Sequence, residues 1–203
     1  MSYPVQLVVA PPRQYERIQV VLRLMIAIAL GWIGITAGRL LFLLYLVLPV
    51  LAAISLLTRG AGWYQAQAAP RLWRVISWLL AFDAYMLLVT DRFPVELDGD
   101  VHVTMQIVAR PSTQSALLRL LTSIPSALAL LLLGILSGLF ALCALITILI
   151  DRSVPAWILS FQEGFLRWQA RLDAYHASLV DEYPPFSFVH DEHPASAASA
   201  HPL

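Results

Sequence analysis

The side chains best suited to chemistry gather near the C-terminus. Asp173 and His176 stand three residues apart in an amphipathic stretch, with Asp181-Glu182 just beyond it. On a helix that spacing puts a carboxylate and an imidazole on one face, as a general base or half of a metal site would need. A zinc centre requires further His or Cys donors. His102 falls instead in a strand-like segment, and Asp191-Glu192-His193, His190 and His201 lie in a polar tail. The single cysteine, Cys143, sits in an apolar run, which excludes an intramolecular disulfide and a cysteine-rich metal site. No G-x-S-x-G elbow, phosphate-cradling glycine loop or H-E-x-x-H motif occurs. The chain is therefore expected to be non-catalytic, with no cofactor and no metal.

Composition indicates where these residues must work. Of 203 residues 59% are hydrophobic and only 13% charged, whereas a soluble domain carries about 25% charged residues. Mean hydropathy is +0.73. The reading is an integral membrane protein whose principal partner is the bilayer. A net charge of zero offers no field for nucleic acid. All 13 basic residues are Arg, a side chain suited to bidentate and stacked contacts. The first seventeen residues hold Pro4, Pro11, Pro12, Arg13, Glu16 and Arg17, which do not form a cleavable signal sequence. The first apolar block is expected to stay in place as a signal anchor.

The chain repeats itself. Asp83-Ala84-Tyr85 and Asp91-Arg92-Phe93-Pro94 recur ninety residues later as Asp173-Ala174-Tyr175 and Asp181-Glu182-Tyr183-Pro184, with Trp78 matching Trp168. Upstream the offset widens: Arg59 with Arg152, Arg23 with Arg119 in Leu-Arg-Leu, and Gln6, Val8 and Pro11 with Gln106, Val108 and Pro111. Small length changes between duplicated elements would produce that drift. The expected architecture is an all-α membrane protein with minor β. Each repeat would run strand, transmembrane helical hairpin, interfacial amphipathic helix and short strand, giving four transmembrane helices in all. The first repeat takes residues 1–98 (hairpin 13–58, interfacial helix 63–90). The second takes 99–189 (hairpin 112–150, interfacial helix 156–180), and 190–203 is a disordered tail.

The apolar runs, Ile18 to Leu57 and Leu117 to Ile150, exceed the ~20 residues of one span and are expected to fold back near Gly31 to Arg39 and near Gly134 and Gly138. A shallow re-entrant hairpin is the alternative. The glycine pairs would relax these turns or let helices approach closely. Strands are expected over Val5 to Val9 and Val101 to Ala109, where alternation is clear. Phe93 to Leu97 and Tyr183 to Phe188 would complete a small four-stranded sheet. Trp157, Phe161, Phe165, Trp168, Leu172, Tyr175 and Leu179 stripe a helix suited to the headgroup level. Leu72 to Val89 is more apolar, and registration with the second copy favours an interfacial helix there over a fifth span.

Arg23 and Arg119 each lie about two turns inside an expected span. They either snorkel to the headgroups or pair with a carboxylate, for which Asp83 and Asp173 are the candidates, because unpaired charge in the membrane is costly. Twelve of the 13 arginines fall on the terminal side of the hairpins and only Arg39 on the other. The positive-inside rule then makes both termini cytoplasmic.

Thr90-Asp91-Arg92-Phe93-Pro94, and more closely Leu166-Arg167-Trp168-Gln169-Ala170-Arg171-Leu172-Asp173-Ala174-Tyr175 with Asp181-Glu182-Tyr183-Pro184-Pro185-Phe186-Ser187, carry a resemblance. The chain resembles the bacterial domain-of-unknown-function family 4389, whose members share an apolar hairpin, an R-W-x-x-R-x-x-A-Y helix and a T-D-x-Y-P-P-F turn. Ser77-Trp78-Leu79 lacks the Arg before Trp, and Val95 replaces the second proline, so the first copy departs from the pattern. The resemblance implies a multi-pass protein of the bacterial inner membrane and supplies no activity. Trp157, Arg167, Trp168, Arg171, Tyr175, Tyr183, Pro184 and Phe186, with Trp73, Trp78 and Tyr85, are then the expected docking surface, since Trp, Tyr and Arg make interface hot spots. The function expected is that of an accessory or scaffold subunit binding other membrane subunits or itself. The alternatives are an oligomeric small-solute or ion pore and a membrane-bound enzyme acting on lipid.

Overall fold

The computed structural model describes residues 3–32, 37–95, 100–105 and 112–185. In chain order the elements are β1 (Val5–Val9), α1 (Arg17–Trp32), α2 (Ala37–Trp63), a π-helical turn (Tyr64–Ala68), α3 (Ala69–Met86), β2 (Val101–Met105), α4 (Thr113–Thr122), α5 (Ile124–Asp151) and α6 (Ala156–His176). Two helical stretches, Tyr45–Met86 and Ile124–Asp151, are long and apolar enough to cross a membrane.

β1 and β2 pair antiparallel, with Val5 opposite Met105 and Val9 opposite Val101. Alternation works as period-two geometry requires: Val5, Leu7 and Val9 turn inward and Val8 outward. Residues 106–109 of the second expected strand lie outside the described residues. Of the other two expected strands, Phe93 to Val95 and Tyr183 to Pro185 are irregular, and the remainder falls outside the described residues. Each holds prolines that cannot donate to a ladder.

The first apolar run forms α1 and α2, with residues 33–36 between them outside the description. α2 breaks at Gly60, whose φ of 79° and ψ of 166° suit only glycine. The π-helical turn and α3 follow, and Pro70 at the start of α3 has no N–H to leave unpaired. α4 opens with a reciprocal capping box between Ser112 and Ser115.

The second apolar run corrects the hairpin expected over 112–150. It bends once, at Ser123 ahead of Pro125, and continues as the 28-residue α5. Proline early in a helix removes a donor that had no partner, so the break falls there and not at the glycines. Gly134 lies beside α6, where a Cβ would make an ordinary contact of 3.7 Å with the Phe165 ring.

α6 is also placed differently from expectation. Gly164 through His176 are all buried, so the stripe expected at headgroup level is the centre of the protein. The core runs from Tyr3, Val5 and Leu7 through Leu166, Ala170, Leu172 and Leu179 to Leu48, Ala52, Ile76 and Leu80. α6 is long and two-faced, so every neighbour can use it. β1, α3 and α5 pack against it, and its polar side chains find internal partners. The Gln162 side chain receives the Ser137 hydroxyl and donates to the Ser137 carbonyl at 2.8 Å. Gln169 donates to Asp83 at 2.8 Å. The Arg171 guanidinium lies 5.5 Å from the Tyr3 ring centroid.

α3 and α6 end alike. Val89 N–H reaches the Ala84 carbonyl and Leu88 N–H that of Tyr85, while Leu179 reaches Ala174 and Ser178 reaches Tyr175. Each set is a Schellman closure. The left-handed position is Leu88 (φ 63°) in one and Ser178 (φ 54°) in the other, ninety residues apart.

Candidate functional site: two arginine latches and a buried polar cavity

A charge carried on an apolar helix must find partners within the protein. Arg23 on α1 is 5% exposed. It donates to the Tyr85 carbonyl at 2.7 Å, the Thr90 carbonyl at 2.6 Å and the Asp91 carboxylate at 3.0 Å. Its guanidinium carbon lies 4.2 Å from the Tyr85 ring centroid. Arg119 on α4 repeats the pattern on the second turn: Tyr175 and Val180 carbonyls at 2.6 Å, the Asp181 carboxylate at 2.7 Å, and the Tyr175 ring at 4.6 Å. The planar fork explains why Arg occupies both positions, because a point charge could not reach two carbonyls, a carboxylate and a ring together.

Of the two outcomes open for these arginines, snorkelling or pairing, the structure shows pairing, with partners other than those named. The carboxylates are Asp91 and Asp181, in the turns, and not Asp83 and Asp173. The turn positions are favoured because the helix C-terminus offers free carbonyls at the same place. Neither Asp91 nor Asp181 was foreseen as an arginine partner. The signal available was their common offset of ninety with the two Asp-Ala-Tyr motifs.

Asp83 and Asp173 lie at the contact of α3 and α6. Asp83 accepts from Gln169, as above. Asp173 is 7% exposed and faces a cavity of about 330 Å³ between α2, α5 and α6. Its polar end holds Tyr45, Gln169, Asp173 and His176, and α5 supplies the apolar wall with Ile124, Ala127, Leu128, Leu130 and Leu131. Burial, with the nearby Asp83 carboxylate adding to it, raises the Asp173 carboxyl to about 8. Burial and then the Arg119 charge lower the His176 imidazole to about 4. At neutral pH the acid is largely protonated and the imidazole neutral.

His176 joins a small network. Its Nε2 lies 2.6 Å from the Ser123 hydroxyl, and the Tyr45 ring meets the imidazole edge-on at 4.6 Å. The Ser123 hydroxyl also meets the Arg119 carbonyl and, at 3.3 Å, the Tyr45 hydroxyl, which in turn donates to the Leu120 carbonyl. Tyr45, Ser123 and Gln169 carried no sequence signal, since small polar residues are ordinary on membrane helices. Among the described residues no group of three His, Cys, Asp or Glu side chains gathers to hold a metal.

The expected docking surface is largely internal. Arg167, Trp168, Arg171, Tyr175, Tyr85 and Pro184 are buried, and Trp73 and Tyr183 are half-buried. Tyr183 meets the Ser126 hydroxyl at 2.5 Å. Trp157 and Trp78 remain exposed, the latter stacked on Phe82 and donating to the Pro94 carbonyl at 2.9 Å. Phe186 lies outside the described residues. Aromatic and Arg side chains suit an interface, and here the interface they build is between α6 and the rest of its own chain.

A mostly helical protein with a two-stranded sheet and two helices capable of crossing a membrane is the class these features define. A family model described as a domain of unknown function (DUF4389) matches residues 113–187, from the first turn of α4 through the turn closed by Arg119. No curated protein and no solved structure matches the chain.

Proposed function

We propose that this chain is a duplicated, non-catalytic integral membrane protein that serves as an accessory or scaffold subunit of a larger complex in a bacterial inner membrane. The duplication is supported by the two latches and the two Schellman closures, which use residues at matching positions. The arginine bias favours cytoplasmic termini.

The observation that carries the subunit reading is the outer face of α5. Leu132, Ile135, Leu139, Leu142, Ile146 and Leu149 are all exposed, and their alternating three- and four-residue spacing makes one continuous stripe. That spacing would let a partner's transmembrane helix pack along it in place of lipid. The docking surface is thus assigned to α5 in place of the buried side chains of α6. Native purification in mild detergent followed by mass spectrometry tests it. A stoichiometric partner, lost when Leu139 and Leu142 are changed to Ala, is the expected result. A homogeneous monomer with no partner overturns the reading.

A further inference from the structure

We propose that the cavity between α2, α5 and α6 is a binding site for a neutral lipid, whose carbonyl oxygen accepts a hydrogen bond from Asp173 and whose hydrocarbon tail lies along α5. The cavity volume of about 330 Å³ falls within the ~300–1,000 Å³ of small-molecule sites. Its walls are apolar with polar groups at one end only, which is the layout an amphiphile requires. Leu128 and Leu131 line the cavity and are also more than half exposed, so it opens on the apolar outer face of α5. Entry from hydrocarbon follows from that placement.

The polar end selects the head. Among the described residues the Asp173 carboxyl makes no side-chain hydrogen bond, and the residue is 7% exposed and faces the cavity. The titratable groups around it are Asp83 from α3, Arg119 from α4, Tyr45 from α2 and His176 on its own helix. Asp83 repels a second negative charge, and the Arg119 guanidinium is engaged by its own turn. The carboxyl is therefore a donor seeking an acceptor. A cationic head would need the ionised acid, and an anionic head would face two carboxyls. A carbonyl oxygen fits, and two membrane components offer one on an apolar tail: a prenylated quinone and a diacylglycerol.

The test uses the full chain in phosphatidylcholine nanodiscs carrying a few mol% of a prenylated quinone or of diacylglycerol, read by native mass spectrometry of retained lipid. Retention of one of the two is expected, and which one identifies the source. Asp173→Asn keeps an N–H donor and should retain the lipid. Asp173→Leu removes the donor and should lower retention about tenfold, the equivalent of one hydrogen bond. Ala127→Trp fills the cavity from α5, leaves the carboxyl intact and should abolish retention, so the result does not rest on one variant folding. Retention of neither lipid by the wild type overturns the proposal. So does undiminished retention in Asp173→Leu or Ala127→Trp, or capture of a long-chain amine that Asp173→Asn abolishes.

Discussion

Arg119 donates to the carbonyl oxygen of Tyr175 at 2.6 Å while its guanidinium carbon sits 4.6 Å from the ring of the same residue. One side chain thus grips another at both ends, and the Tyr175 carbonyl takes this bond in addition to the Ser178 N–H of the Schellman closure. Removing the grip takes a partner from the Tyr175 and Val180 carbonyls and from the tyrosine face. Arg119→Met should cost about 3 kcal/mol and Arg119→Lys nearly as much, because an ammonium cannot reproduce the fork. Asp181 is half-exposed, so Asp181→Asn should cost less than about 1 kcal/mol. Asp91 is largely buried and also accepts the Glu16 N–H at 2.6 Å, so Asp91→Asn should cost more than its counterpart. Thermal unfolding in detergent ranks the four variants; equal effects for the two aspartates would contradict the assignment.

Ser178 holds a left-handed backbone (φ 54°), and its buried hydroxyl has no hydrogen-bond partner among the described residues. Both features disfavour serine. Ser178→Gly should raise stability by about 1 kcal/mol, through relief of strain and of an unsatisfied polar group. Leu88→Gly relieves the same strain in the first copy but removes a buried side chain, so it should destabilise. Opposite signs for two matching positions are a demanding comparison, read as shifts of melting temperature.

The pH dependence follows from Asp173 and His176. Asp173 is raised in the fold from 3.8 to about 8, so the folded protein holds a proton that the unfolded chain has lost. Its contribution is present at low pH and fades as pH rises toward 8. His176 is lowered from 6.5 to about 4, so its contribution is full above 6.5 and is lost as pH falls through 4. The two oppose each other between about 4 and 6.5, and Asp173 acts without that opposition above it. Melting temperature should therefore fall between pH 6.5 and 8, on the order of 4 °C. The fall should vanish in Asp173→Asn, and a profile unchanged by that substitution would contradict the placement of the carboxyl.

Local signals carried further than global ones in this chain. Val5 to Val9 announces its strand by alternation, and the start of α6 follows from Pro155, while α3 (Ala69–Met86) is shorter than the expected 63–90 and α6 ends at His176, short of the expected 156–180. The duplicated Asp-Ala-Tyr motif led to both latches. It misled on partner because residue spacing along a helix says nothing about where the next turn folds back. The hairpin expected at Gly134 failed for a related reason: a glycine that relaxes a turn and one in the middle of a continuous helix look identical in sequence. Likewise Trp168 and Arg171 have the chemistry of an exposed interface, and only the packing of β1, α3 and α5 around α6 shows that they face inward. The cavity was illegible because Tyr45, Leu128 and Asp173 come from three helices with no common motif.

Embedding in hydrocarbon underlies every part of this account, and the lone cysteine reports on it directly. Cys143 is exposed on α5, about 8 Å along the helix from its midpoint and so within the ~30 Å hydrocarbon core. A thiol reacts as its thiolate, which water-free surroundings suppress. In intact membrane vesicles a water-soluble maleimide should leave Cys143 unlabelled, while it labels a cysteine moved to the end of the helix by Asp151→Cys in a Cys143→Ser background. Equal labelling at the two positions would show that α5 lies in water and would contradict the account.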